Sequence, residues 1–254
     1  MSPLAPMEWL GRLKRREPSA QAASGVRHYG EPTLDDATLR GVWQVCSLLL
    51  GYPDDRLLGL LPAIRRSIAR FPDEAAGPLL GLVKHLESTP MSPLRTAYVE
   101  TFDTTRKCAL HLTYYAHGDT RKRGIALVQF KQAFRRAGLE VTEDELPDHL
   151  AVVLEFGATG DVAVAWKLLN DHRAGIELLQ WGLDAKSSPW AGVVTALRTT
   201  LPPLDGGQEE AVRKLLADGP PDEEVGLDGY SIDPLLNPHP NDDQLLLESL
   251  GDPR

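Results

Sequence analysis

Candidate chemistry is concentrated in one run of nine residues, His111-Leu112-Thr113-Tyr114-Tyr115-Ala116-His117-Gly118-Asp119. Imidazoles and a carboxylate are common ligands for zinc or iron, so the run first suggests a metal-dependent hydrolase. The spacing argues against that reading. His111 and His117 stand six apart, and on one continuous helix they would face different ways, because only residues three or four apart share a face. No HExxH accompanies them. Leu146-Pro147-Asp148-His149-Leu150 supplies a second acid and imidazole, which would be two thirds of a triad or part of an HD-type metal site. No GxSxG elbow marks a nucleophile to complete it. A structural assignment accounts for the same residues: Asp119 as a helix N-cap after a turn at Gly118, Pro147 at a helix's first position, and Asp148 near the positive end of that helix. The His and Tyr rings then become partly buried groups bonded to nearby backbone. Structure or recognition is favoured over catalysis, with no metal and no cofactor. Arg121-Lys122-Arg123 follow in a first helical turn, where cations oppose the macrodipole. They could anchor an acidic partner, pair with an internal carboxylate such as Glu155, or form a solvated basic face.

Helices must position these groups. Asp35 or Asp36 can cap a helix with Val42, Val45, Cys46 and Leu49 on one face, stopped by Gly51 and Pro53. Periodic stripes then predict helices over 54–70, with a kink at Pro62, and over 72–87. Another starts at Pro93 and puts Leu94, Tyr98 and Phe102 on a common face. Further helices are expected over 119–137, ended by Gly138, from Pro147 through Phe156, and from Asp161 as one helix towards Leu183. One more opens at Ser188-Pro189 and ends near Leu201. Sustained strand alternation is absent, as are internal repeats and a Gly-rich phosphate loop. The expected fold is all-α, a single-domain bundle of eight to ten helices over residues 33–201. Residues 1–32 read as a flexible arm with one short helix around Trp9, and 202–254 as an acidic, largely irregular tail with one helix over 208–217.

Charge bounds the partners. The formal net charge is -9, and the acidity lies in the tail, where residues 202–254 hold 3 Lys and Arg against 13 Asp and Glu. Residues 33–201 are nearly balanced, at 19 against 20, with signs interspersed. A phosphate backbone therefore finds no basic face, and no nucleic-acid partner is expected. No apolar run approaches the ~18 residues of a membrane helix. Near the start, charges follow a few apolar residues, the reverse of a signal peptide, so no export is expected. The two cysteines, Cys46 and Cys108, lie in apolar helical patterns and form no CxxC. A reduced, cytoplasmic setting fits them.

Tyr98-Val99-Glu100-Thr101-Phe102-Asp103, His111-Leu112-Thr113-Tyr114, His117-Gly118-Asp119-Thr120-Arg121-Lys122-Arg123-Gly124 and Glu145-Leu146-Pro147-Asp148-His149-Leu150, running on to Leu154-Glu155-Phe156, keep their order and spacing over about 60 residues. Together they resemble the NarJ family of nitrate reductase assembly chaperones, within the wider TorD/DmsD group of redox-enzyme maturation factors. Tyr115 stands where many members carry His. The resemblance implies a TorD/NarJ-like helical bundle that is not an enzyme. It would hold the N-terminal tail of the apo catalytic (alpha) subunit of respiratory nitrate reductase in the cytoplasm during molybdenum cofactor insertion. The family's signatures fall on Tyr98, Phe102, Pro147, Asp148 and His149. The expected client-binding set is these together with His111, Leu112, Tyr114, Tyr115, His117, Asp119, Arg121, Arg123, Leu154 and Glu155. A monomer or weak homodimer without membrane insertion is expected, and a chaperone for another molybdoenzyme stays open as an alternative. An amphipathic client helix would be read at i, i+3, i+4 and i+7, and an acidic surface would favour a basic tail.

Overall fold

Helix α7, Leu150–Thr159, carries eight consecutive buried residues, Leu150 to Gly157, a pattern that only a helix surrounded on all sides can accept. Its main partner is α1, Asp36–Leu49, whose N-cap Asp35 accepts from Thr38 N. Their approach is close because α7 has Gly157 where α1 presents Trp43; a Cβ there would fall 2.4 Å from the indole. Ser47 Oγ donates to Ala151 O at 2.7 Å across the crossing, while Trp43 Nε1 donates to Thr200 Oγ1 at 3.0 Å, at the end of the helix over Ala191–Thr199. Arg40 donates to the carbonyls of Gly157, Ala158 and Gly160 at 3.1–3.3 Å, a cation placed on the negative end of α7.

The computed structural model describes residues 13–15, 29–142 and 145–221. Helices α2 (Asp55–Ile68), α3 (Asp73–Ser88) and α4 (Met91–Phe102) follow α1 and lay Leu61, Ile64, Leu79, Leu82, Leu86 and Leu94 into the core. A 3-10 turn at Arg106–Cys108 and one helical turn, α5 (Tyr114–His117), lead to α6 (Arg121–Arg136). After α7 come α8 (Val162–Asp171), α9 (Arg173–Ala185), α10 (Ala191–Thr199) and α11 (Gly206–Asp218). α10 packs on α3, where Gly192 lies against the backbone of Pro78, and α11 packs on α9. Asp205 and Gln208 form a capping box for α11, and Gln208 Nε2 reaches Asn170 O at 3.0 Å. One short antiparallel pair, β1 (Leu13–Arg15) with β2 (Leu139–Val141), completes the elements. Tyr29 and Gly30 also dock: Tyr29 OH donates to Asp171 and Gly30 O accepts from Trp166 Nε1.

The fold is all-α, as the periodicity predicts, with eleven α-helices among the described residues rather than eight to ten. Two differences account for the count. The continuous helix expected from Asp161 to Leu183 is two helices, because His172 leaves helical geometry (φ -108°, ψ 20°) between them. The one-turn α5 carries too few residues to show a period. The helix expected at 208–217 forms as α11. The helix expected around Trp9 lies outside the described residues, as does everything beyond Pro221.

Replacing Gly157 with Ala forces apart the α1–α7 contact on which the core is built. A loss of about 1–3 kcal/mol is expected from overpacking, read as a lower urea midpoint with an unchanged slope.

Candidate functional site

The helix expected to open at Pro147 starts three residues later, because Asp148 is committed elsewhere. Its backbone and that of its neighbours pair with the 110–112 segment: Leu112 N donates to Asp148 O at 3.0 Å and Leu150 N to Leu110 O at 2.7 Å, making an antiparallel bridge between His111 and His149. The cap of α7 is therefore His149, whose Nδ1 accepts from Ala151 N at 3.2 Å. That contact places the ring proton of a neutral His149 on Nε2.

Asp148 is wholly buried and fully engaged. Oδ1 accepts from His111 Nδ1 at 3.3 Å, and Oδ2 accepts from both Thr113 N at 3.2 Å and Thr113 Oγ1 at 2.5 Å. Arg123 Nη2 approaches Oδ2 at 3.9 Å. Burial pushes the carboxyl pKa up, but the hydrogen bonds from His111 and Thr113 and the charges of His111 and Arg123 outweigh it and hold the group below the ordinary value. The carboxylate is thus a fastener joining three pieces of chain, the 111–113 loop, the entry to α7 and α6. Three hydrogen bonds from two residues, with a guanidinium nearby, hold this fully buried acid in place.

His111 and His149 meet edge to face, 5.2 Å between centroids, and both are half-buried. Beside them Leu146 exposes 41% of its surface. Tyr114 is held from two sides: Arg106 Nε donates to its OH at 2.8 Å and the Arg123 guanidinium lies 6.0 Å from its ring centroid. Asp119, expected as the cap of α6, instead pairs with Arg123 at 2.5 Å, while Thr120 takes the cap position with its hydroxyl donating back to His117 O at 2.9 Å rather than capping the helix. Gly118 makes the expected turn at φ 56°. Arg121 is exposed and His117 half-buried.

The remaining expected residues lie inward. Tyr115 is buried, with its OH donating to Ala109 O at 2.7 Å and Lys107 O at 3.1 Å. Its ring rests on Gly175 of α9, where a Cβ would fall 2.6 Å away, and Lys107 O rests on Gly182, where the distance would be 2.8 Å. Seven residues are nearly two turns, so both glycines face the same way within about 20°, and the whole 106–115 segment beds down along that face. Tyr98 and Phe102 are buried in a separate aromatic cluster with Trp190, at 4.7–5.6 Å between centroids, and Tyr98 OH donates to Leu50 O. Leu112, Pro147 and Leu154 are core, and Glu155 is 5% exposed. The structure therefore brings His111, Thr113, Asp148, His149 and Arg123 together, puts Tyr114, His117 and Asp119 beside them, and places Tyr98 and Phe102 in another cluster.

Sequence reasoning missed three participants. Thr113 and Arg106 are ordinary polar residues whose roles only the fold reveals. His172, at the α8–α9 break, packs 5.1 Å from Phe130 with its Nδ1 donating to Leu168 O at 2.9 Å. Burial holds it neutral by lowering its pKa, against the opposing effects of the Leu168 carbonyl and the charges of Asp171 and Asp148, while His117 reinforces the lowering. Its place inside an apparently continuous helical pattern hid the signal. Among the described residues no group of three or more His, Cys, Asp or Glu is placed to hold a metal, and no helix is long and apolar enough to cross a membrane.

Fold and site together define an all-α bundle in which a buried carboxylate pins a loop beneath a surface histidine pair. Residues 69–196 match the family described as nitrate reductase delta subunit, and the chain belongs to that family. The nitrate reductase-like protein NarX of Mycobacterium tuberculosis is 38% identical over 160 residues, which cover 63% of this chain and only 24% of that relative. The probable nitrate reductase molybdenum cofactor assembly chaperone NarJ of Bacillus subtilis is 30% identical over 156 residues, 61% of this chain and 85% of the relative. Its Escherichia coli K12 counterpart is 34% identical over 152 residues, 58% of this chain and 64% of the relative. A putative redox enzyme maturation protein from Archaeoglobus fulgidus superposes with a TM-score of 0.47 at 24% identity, over 69% of this chain and 97% of that one.

Two outcomes follow from the electrostatics. Asp148→Asn leaves a donor facing the Thr113 amide, and a loss of about 1–3 kcal/mol at neutral pH is expected. Because the native carboxyl pKa is depressed, its stabilisation is present above the ordinary value of about 3.9 and lost as pH falls through the native one, so denaturation curves below pH 4 converge for the two proteins. His172 is also depressed: the unfolded chain takes up its proton first, so stability falls as pH drops below about 6.5. His172→Phe should flatten that limb of a urea stability profile.

Proposed function

We propose that the protein is an assembly chaperone for a nitrate reductase, holding the N-terminal tail of the apo catalytic subunit in the cytoplasm while the molybdenum cofactor is inserted. The observation that carries this reading is membership of the delta-subunit family, within which relatives at 30% and 34% identity are named nitrate reductase molybdenum cofactor assembly chaperones. The same relatives are named for assembly rather than catalysis, and the site is consistent with that. Its buried acid, Asp148, accepts from His111 and Thr113 and lies 3.9 Å from Arg123.

The client is read by the outward-facing part of the cluster, His111, His149, Leu146, Tyr114, His117 and Arg121. The buried members of the set, Asp148, Tyr115, Leu112, Pro147, Leu154, Glu155, Tyr98 and Phe102, fix the shape of that surface from below. Arg123 and Asp119 couple it to α6. A tail that is unstructured until bound pays an ordering cost, which keeps affinity moderate and lets the chaperone release its client once the cofactor is in place. The protein acts as a monomer or weak homodimer.

Tagged full-length protein recovered from nitrate-respiring cells should bring down the catalytic subunit in its cofactor-free form. Repeated recovery of other molybdoenzymes without it would overturn the client assignment, and recovery of none would overturn the chaperone reading. Leu146→Asp, on an exposed position, should lower affinity for the tail peptide at least about tenfold in calorimetric titration, given the scale of a buried apolar anchor, while leaving the urea midpoint unchanged.

A further inference from the structure

Helix α6 carries Arg121, Lys122, Arg123, Lys131, Arg135 and Arg136 and no acidic residue in its 16 positions. Two of the six are spoken for, Arg123 by Asp119 and Arg135 by Glu140. Arg121, Lys122, Lys131 and Arg136 are exposed and have no ion-pair partner among the described residues. On the same side stand the two most exposed of the large hydrophobic side chains described, Ile125 at 65% and Val128 at 51%. At 100° per residue, Lys122 and Lys131 lie about 180° apart, and Ile125 and Val128 fall between them, about 60° from each other. The opposite face, Ala126, Phe130 and Phe134, is buried, with Phe134 stacked on Phe156.

We propose that this outer face of α6 is a docking surface for an anionic lipid bilayer, on which the protein rests without spanning it. The arrangement has the two parts an interfacial helix needs, an apolar centre to enter the headgroup boundary and flanking cations to meet lipid phosphates. Exposure across about half the helix circumference makes the face convex. A convex face suits a broad, yielding surface, whereas a peptide helix is read in a groove with two walls. The chain's overall negative charge does not prevent this, because at physiological salt charges beyond about 8 Å are screened and the local field is that of the four free cations. The proposal does not depend on which client the protein serves.

Co-sedimentation of the full chain with vesicles tests it. Binding is expected to vesicles of phosphatidylcholine mixed with phosphatidylglycerol, to weaken with added salt, and to be absent with phosphatidylcholine alone. Lys122→Gln together with Lys131→Gln should lower the partition coefficient about 25-fold, at about fivefold per cation. Ile125→Asp should weaken it comparably, and circular dichroism should report both variants folded, since these side chains are already in water. Absence of binding to anionic vesicles at low salt, or binding that both variants leave intact, overturns the proposal. Retention on polyglutamate resin by a protein that ignores the vesicles also overturns it and assigns the face to an acidic polypeptide. Recovery of the catalytic subunit from cells is scored separately, so that failure here leaves the chaperone reading standing, and the reverse.

Discussion

One buried carboxylate organises the part of this molecule that carries information. Asp148 is 0% exposed, and the cost of burying its charge is offset by hydrogen bonds from Thr113 and His111 and by the nearby charge of Arg123. Those partners come from two separate stretches of chain, the 111–113 loop and α6, and Asp148 brings the entry to α7 as a third. The carboxylate therefore sets where the 111–113 loop runs, where α7 begins and how α6 is angled against both. Without it the antiparallel bridge of His111 and His149 would remain, but α6 would keep only its packing contacts, such as Phe134 on Phe156 and Arg123 over Tyr114.

The rest of the bundle supplies a rigid wall for this arrangement. α7 is buried on all sides and clasped to α1 through Gly157 and Trp43. From the opposite side α9 contributes a smooth face where Gly175 and Gly182 receive Tyr115 and the carbonyl of Lys107. A further ion set, the buried pair Glu177 and Arg173 at 2.8 Å with the half-exposed Arg198 at 2.8 Å, ties α9 to α10 behind it. The exposed part of the cluster is thus thin, a few half-exposed rings and one leucine, and its shape depends on the layers buried beneath it.

Most of the fold was legible in the sequence, and the reasons for the exceptions are physical. Long amphipathic helices announce themselves by spacing, so α1 to α4, α6, α10 and α11 fell close to their predicted positions. The break at His172 did not, because an apolar stripe can continue across a single non-helical residue whose ring satisfies the carbonyl of Leu168. The start of α7 was misplaced because Pro147 is a good first helical residue by propensity, and only a tertiary commitment of Asp148 delays it. Within the site, the density of His, Tyr and Asp was visible in the residues, but which of them face water was not. Burial of Tyr98, Phe102 and Tyr115 depends on Trp190 and Gly175, residues distant in sequence whose arrival no local pattern reports.

The paired glycines of α9 carry an implication for how such a chain can change. Substitutions on the exposed side of α9 alter only the surface, but a single residue added or lost between Gly175 and Gly182 would rotate one of them by about 100° and drive a side chain into the segment it now accommodates. The seven-residue interval is a ruler, and the loop that bears His111 is cut to its length. Variation in recognition is therefore free to accumulate in residue identity, while the measure of α9 stays fixed.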